Sequence, residues 1–271
     1  MFLKQLNLTN FRNYSQLTLN FDSRPTILVG NNAAGKSNIL EAIYLLSTTK
    51  SLRVETEDEL IKEGEEFTKV EGFMDAGETE LLVVINKPTE QVKFRKKVMV
   101  NGIGRRVVDF IGNLPAVIFY PSDINMVTGS PSLRRWHLDL GLAQVDQDYK
   151  KVLTSYEQFL TARNRVLKRI REGKAKIDEL DYWTNELVDK GKVISEKRRE
   201  FFEFINSLKT PLGEFQFEFK PSEISAEKLA EINGREVAAA VTLIGPHRDD
   251  FDIVILNSIQ DLYNCIIFTT K

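Results

Sequence analysis

The chain holds a single cysteine, Cys265, and two histidines, His137 and His247, in 271 residues. One cysteine excludes an internal disulfide, and so few soft ligands leave no plausible zinc set. Long apolar runs are missing too: none approaches the roughly 18 to 20 residues that a membrane-spanning helix needs. The opening MFLKQLNLTNF alternates apolar and polar residues where a secretory leader would carry an apolar block, so a cytoplasmic protein without a membrane contact is expected. Nor is there an excess of positive charge. With a formal net charge of −2 and a pI near 5.9, any affinity for nucleic acid must rest on where the charge sits. It sits unevenly: residues 55–66, ETEDELIKEGEE, carry seven acids against Lys62, and residues 161–176, TARNRVLKRIREGKAK, carry seven bases against Glu172. Internal repeats and low-complexity segments are also absent.

What is present suffices for at least one full core, since 42% of the residues are hydrophobic. Residues 2–8 and 16–21 alternate with period two, as half-buried strands do, around a turn at Asn13-Tyr14-Ser15. TILV at 26–29 and PAVIFY at 115–120 are short apolar runs of the kind found in the interior strands of a sheet. After Ser37 the apolar positions Ile39, Leu40, Ile43, Tyr44 and Leu46 recur at helical spacing. Residues 68–73, 80–86 and 92–100 predict further strands, separated by turns at Pro88 and, after 100, at Asn101-Gly102. A helical stretch starts at Pro121-Ser122-Asp123. In 147–171 and again in 178–208 the apolar residues repeat about every 3.5 positions. The short polar connector EGKAK at 172–176 then forces an antiparallel helical hairpin, which Pro211-Leu212-Gly213 ends. Residues 215–219 and 251–256 predict strands, 225–240 a helix, and CIIFTT near the end one more strand. The division expected is a head at 1–130, a helical arm at 131–212, and a return to the head at 213–271.

Between the apolar run TILV and the helix after it lies Gly30-Asn31-Asn32-Ala33-Ala34-Gly35-Lys36-Ser37. It fits G-x-x-x-x-G-K-[ST] at every fixed position and in the strand-to-helix context that such a phosphate loop requires. The spacing has a chemical reason. The glycines permit positive φ and close approach, so that successive N–H groups turn toward phosphate oxygens, and the helix that follows adds its positive end. Lys36 would reach the β- and γ-phosphates of ATP, and the Ser37 hydroxyl would ligate Mg²⁺.

NLTNFRNY at 7–14, the loop, ILEAIYLLSTTKSLR at 39–53, VMVNG at 98–102, LPAVIFYPSDINMVTGSPSLRRWHLD at 114–139 and LIGPHRDDFD at 243–252, taken in order, resemble the RecF family of bacterial replication and repair proteins. The resemblance implies an α/β fold, an ABC-type ATPase head with a mixed sheet, related to structural-maintenance-of-chromosomes proteins, with an inserted helical hairpin arm. It also implies ATP and Mg²⁺ as cofactors, an ATP-dependent homodimer, and binding to gapped DNA or to junctions of double- and single-stranded DNA. Recombinase loading with RecO and RecR partners, and a place in the response to DNA damage, follow from the same likeness. By that likeness Arg12 lies near the nucleotide, and Asp123, with Ser122 beside it, stands where the ABC Q-loop watches Mg²⁺ and the γ-phosphate. Read from spacing alone, Arg12 is as well explained as a surface arginine and Asp123 as a helix cap.

Arg163, Arg165, Lys168, Arg169, Arg171, Lys174 and Lys176 gather around the hairpin tip, where they are candidates for neutralising DNA phosphates without reading sequence. A solvated helix face explains the same run. Arg134 and Arg135 form a second candidate group, and Lys93, Arg95, Lys96 and Lys97 with Arg105 and Arg106 a third. His247, Arg248, Asp249 and Asp250 bond either locally or to nucleotide or partner. After FDIVIL the chain departs from the family pattern. NSIQDLYN runs directly into CIIFTT, without the Ser-x-Gly-Gln type signature or the apolar strand ending in paired acids, the Walker B. No catalytic residue is therefore assigned, and a nucleotide-binding relative without turnover is the alternative to an ATPase.

Overall fold

A computed structural model describes residues 2–74, 79–88, 94–209 and 215–255. Lys93, the stop at 211–213 and everything after Ile255, including CIIFTT, lie outside them. The chain divides into two compact units. One comprises Met1–Tyr120 and Leu140–Gln147, the other Pro121–Asp139 and the described residues from Asp148 onward.

The first unit is built on a six-stranded sheet of β1 (Leu3–Phe11), β2 (Tyr14–Asn20), β3 (Phe67–Met74), β4 (Thr79–Asn86), β5 (Lys96–Val100) and β6 (Ile103–Arg105), in the order β2-β1-β3-β4-β5-β6. Every pairing among the described strands is antiparallel. The two-residue period read in the sequence sets which face is sealed. Leu6 and Leu8, Val70 and Met74, and Leu81, Val83 and Ile85 all turn inward and are buried. Helix α1 (Lys36–Thr48) lies on that face with Ile39, Ala42, Leu45 and Leu46 in the same core. Burying each of these larger side chains stabilises the fold by roughly 1.5–3 kcal/mol. Gly72 lets the helix come close, because a Cβ there would meet a Leu46 methyl at 2.7 Å. The short helix α2 (Val107–Phe110) adds Phe110 to the core.

Two expectations fail in this unit. Residues 26–29 and 115–120 belong to no strand. Ile27 and Val29 are 83% and 88% exposed, and Val117 and Phe119 are 98% and 80% exposed, where interior burial was expected. A strand is defined by its neighbours' hydrogen bonds, and an apolar sequence without a paired neighbour on the described backbone cannot become one. Each run still keeps one face on the protein. Leu28 packs on the core, Leu114 is part of it, and the Ala116 amide donates to Oε1 of Gln144 at 2.8 Å.

The second unit holds the short helix α3 (Asn125–Thr128), part of α4 (Pro131–Val145), and the long helices α5 (Gln147–Arg171) and α6 (Asp181–Ser207). Contacts between α5 and α6 run in opposite order along the two: Tyr149 with Arg198, Phe159 with Lys190, Arg163 with Thr184. That is the antiparallel hairpin that the heptad-like spacing predicts. Strands β7 (Phe215–Lys220) and β8 (Asp250–Ile255) pair antiparallel, and α7 (Ala226–Ala239) is capped at its start by Ser225. Phe202 of α6 stacks on Phe219 of β7 at 4.9 Å between centroids.

Candidate functional site

The loop Gly30–Ser37 has the backbone an anion cradle requires. Ala33 and Gly35 both have positive φ, 62° and 99°, two residues apart, which turns neighbouring N–H groups toward one side. For alanine that conformation costs about 1–2 kcal/mol, and strain of this kind concentrates at ligand clamps. At Gly35 a side chain is also excluded by contact. A Cβ would lie 2.5 Å from the Tyr14 hydroxyl and 2.8 Å from the Asn13 amide. Helix α1 begins at Lys36, so its positive end adds to the same field. The Lys36 ammonium donates to the carbonyls of Gly30 and Asn31 at 2.8 and 2.7 Å, which places it over the loop. A cleft of about 290 Å³ is lined by Asn32, Ala33, Gly35, Lys36, Ser37 and, from the segment after α1, Arg53.

One turn beyond Ser37, Glu41 is buried and gathers the basic groups around the loop. Arg12 grips its carboxylate through Nε at 3.0 Å and Nη2 at 2.8 Å, Arg53 donates at 3.1 Å, and the Ser51 hydroxyl donates as well. Arg12 spends a further donor on the Glu59 carbonyl at 3.0 Å, and Arg53 one on Asn38 Oδ1 at 3.0 Å. Two guanidiniums on one carboxylate leave net positive charge beside the cleft. Arg53 lines that cleft, while Arg12, the arginine singled out in the sequence, serves to join the β1–β2 turn to α1. Arg53, Glu41, Asn13 and Tyr14 were not picked out from spacing. Each lay within a block of family likeness, but nothing local to those blocks assigns them a role.

Of the remaining candidates, Asp123 lies in the second unit, in the short turn Pro121–Ile124, where its charge acts on His137. Burial holds the His137 imidazole below its ordinary value against that pull. The basic residues divide sharply. Arg163 is 1% exposed, bound to Glu236 at 2.6 Å and to Thr242 at 2.8 Å. Arg134 holds Asp250 through two bonds of 2.7 and 2.9 Å, and Arg135 donates to the Asp249 carbonyl at 2.7 Å. These three are spent within the unit. Arg165, Lys168, Arg169 and Arg171 are exposed on α5, with Arg169 reaching Glu179 at 3.5 Å. Glu172 is bound by Lys174, which depresses its carboxyl below the ordinary range.

His247, Arg248, Asp249 and Asp250 of GPHRDD bond to residues of their own unit. Asp249 is buried and accepts from Arg198 at 2.7 Å and from the Ser222 amide at 2.6 Å, with burial holding its carboxyl above the ordinary value. Asp250 is kept below it by the hydrogen bond from Arg134. His247 accepts from the Tyr156 hydroxyl at Nδ1, 2.7 Å, and its Nε2–H donates to the Thr242 carbonyl at 3.1 Å. Arg248 is exposed, with one donor 3.3 Å from the same carbonyl.

The chain is similar to known proteins. Residues 2–108 match the family model described as the RecF/RecN/SMC N terminal domain. The chain is 34% identical over 279 aligned positions to the DNA replication and repair protein RecF of Bacillus cereus (strain G9842), covering 94% of this chain and 73% of that one. The RecF of Bacillus thuringiensis (strain Al Hakam) gives the same figures. Among solved structures, the recombination mediator protein RecF-ATPrS in the RecFOR pathway superposes with a TM-score of 0.84 at 28% identity, over 98% of this chain and 78% of that chain. RecF-ATP in the same pathway gives 0.83 at 29%, over 96% and 76%.

Proposed function

The chain belongs to the RecF family, SMC-related ABC-type ATPases, and on that premise we propose that it binds ATP with Mg²⁺ and acts on DNA in replication and recombinational repair. The observation that carries the nucleotide half is the strained loop with Lys36 over it and Arg53 in its cleft. The loop N–H groups, Lys36 and Arg53 would hold the phosphates, and the Ser37 hydroxyl would ligate Mg²⁺. Bound triphosphate supplies the negative charge on which the basic groups around Glu41 act. Asp123 stays a candidate for watching Mg²⁺ and the γ-phosphate on the strength of family likeness.

DNA engagement rests on Arg165, Lys168, Arg169 and Arg171, which offer charge without a base-reading element. The preferred targets are gapped duplexes and junctions of double- and single-stranded DNA, with RecO- and RecR-type mediators and an ATP-dependent second copy as partners. Calorimetric titration with MgATP tests the first half. Wild type should bind and Lys36→Ala should lose at least tenfold, about 1.4 kcal/mol. A gapped duplex titrated across a salt series tests the second: the slope of log affinity against log salt should steepen by about 0.9 for each phosphate neutralised. A salt-independent affinity would remove the DNA assignment.

A second reading, nucleotide binding without turnover, is favoured by the departure from the family pattern inside the chain, where NSIQDLYN runs directly into CIIFTT. ATP turnover in the presence of gapped DNA, equal in wild type and Lys36→Ala, would decide for it.

A further inference from the structure

The β1–β2 turn reaches the phosphate loop at one peptide. The Tyr14 hydroxyl donates to the Ala34 carbonyl at 3.2 Å, and the Asn13 side-chain amide stands 3.5 Å from the same oxygen. Asn13 is itself held, since its Oδ1 accepts from Asn38 Nδ2 in the first turn of α1 at 2.9 Å. The Tyr14 ring packs against the core, so its hydroxyl is not free to wander. The turn is also fixed from behind. Arg12 has φ of 53°, and its amide donates to the Leu60 carbonyl at 2.9 Å while its guanidinium grips Glu41. A non-glycine residue held in that conformation needs surroundings that impose it.

In a trans peptide the C=O and the next N–H point in opposite directions, and the described backbone contains no cis bond. Fixing the Ala34 oxygen toward Tyr14 therefore fixes the Gly35 N–H on the far edge of the same plane, away from Tyr14. Glycine rotates its peptides more readily than any other residue, so without a tether this is the place where the cradle would turn a carbonyl toward an anion in place of an N–H. We propose that Tyr14, seconded by Asn13, is a positioning residue for the phosphate loop: it holds the Ala34–Gly35 peptide in the one orientation that offers the Gly35 N–H to a phosphate oxygen. This rests on the nucleotide-binding assignment above and adds to it the device that readies the cradle before ligand arrives. Preorganised donors bind without reorganising, which is where their advantage lies.

The test uses the full chain. Tyr14→Phe keeps the ring in the core and removes only the donor, and it should bind MgATP about fivefold more weakly than wild type, the worth of one neutral hydrogen bond. Asn13→Asp, which sets a carboxylate oxygen against the Ala34 carbonyl, should weaken it further. A readout free of nucleotide is the Gly35 amide resonance in ¹⁵N-labelled protein. A single sharp peak in wild type should become broadened or doubled in Tyr14→Phe as the peptide samples both orientations. Affinity and a Gly35 resonance both unchanged in Tyr14→Phe would overturn the proposal. Should wild type itself fail to bind MgATP, the nucleotide assignment falls on its own, and the Gly35 resonance still decides whether Tyr14 orients the peptide.

Discussion

Strand β4 and the segment TILV at 26–29 have nearly the same chemistry and opposite fates. In β4, Leu81, Val83 and Ile85 are at most 1% exposed, because β3 and β5 flank the strand and α1 covers its inner face. Ile27 and Val29 are more than four-fifths exposed, and Val117 and Phe119 in the second run are 98% and 80% exposed. Side-chain character is equal to the task in both places, so what differs, among the described residues, is the number of backbones that pair with each. The same division recurs among cations on one helix turn. Arg163 is sealed against Glu236, and Arg165, two residues on, faces water. Apolar or charged identity selects what a residue can do, and its neighbours select what it does.

That comparison is sharpest where a buried charge is orphaned. Arg163→Ala leaves Glu236, 0% exposed, without its cation and should cost about 3–5 kcal/mol of stability in urea denaturation. Arg165→Ala should stay within about 0.5 kcal/mol and show itself only in DNA affinity. Equal losses from the two would erase the distinction between them. In the sheet, Ile85→Ala should cost about 2–4 kcal/mol by lost burial and residual cavity, measured the same way.

A third contrast is set by pH. The unfolded His247 imidazole titrates near 6.5, and in the fold burial lowers it to about 4, with Arg248, Arg135 and Arg163 pushing in the same direction. In the neutral ring that burial favours, Nε2–H donates to Thr242 and Nδ1 accepts from Tyr156. Between those values the unfolded chain binds a proton that the folded chain refuses. Stability from this group is complete above about pH 6.5 and is lost as the pH falls toward 4, by about 3 kcal/mol at most. In His247→Gln the stability lost between pH 7 and pH 5 should shrink, and an unchanged loss would show that other groups carry it.

Much of the fold was legible because it follows local periodicity. The two-residue alternation located β1 and β2, and the 3.5-residue rhythm located α5 and α6 almost to their ends. The phosphate loop was legible for the same reason, being eight consecutive residues whose spacing states its chemistry. What escaped depends on distant partners. Arg12 and Arg53 are 41 positions apart and meet on one carboxylate, Glu41, which nothing in their spacing reveals. The bases at 163–171 form one cluster in the sequence, but the 3.6-residue turn rotates Arg163 inward, where Glu236, Thr242 and Thr184 receive it, and leaves the others outside. Arg134 and Arg135 are likewise committed to Asp250 and Asp249, more than a hundred residues away.

The smallest expected effect bears hardest on the opening comparison. Val117→Ser and Val29→Ser change apolar side chains that the fold leaves in water, so each should alter stability by no more than about 0.5 kcal/mol. A loss near the value for Ile85→Ala would mean that these side chains are covered in solution. The position would then distinguish the coverings. Val29 lies just before Gly30, so a cover over it would restrain the phosphate loop and its loss would lower MgATP affinity together with stability. Val117, in the other run, should leave MgATP affinity unchanged. Small and equal effects at both positions, with affinity intact, are the outcome that two water-facing side chains require.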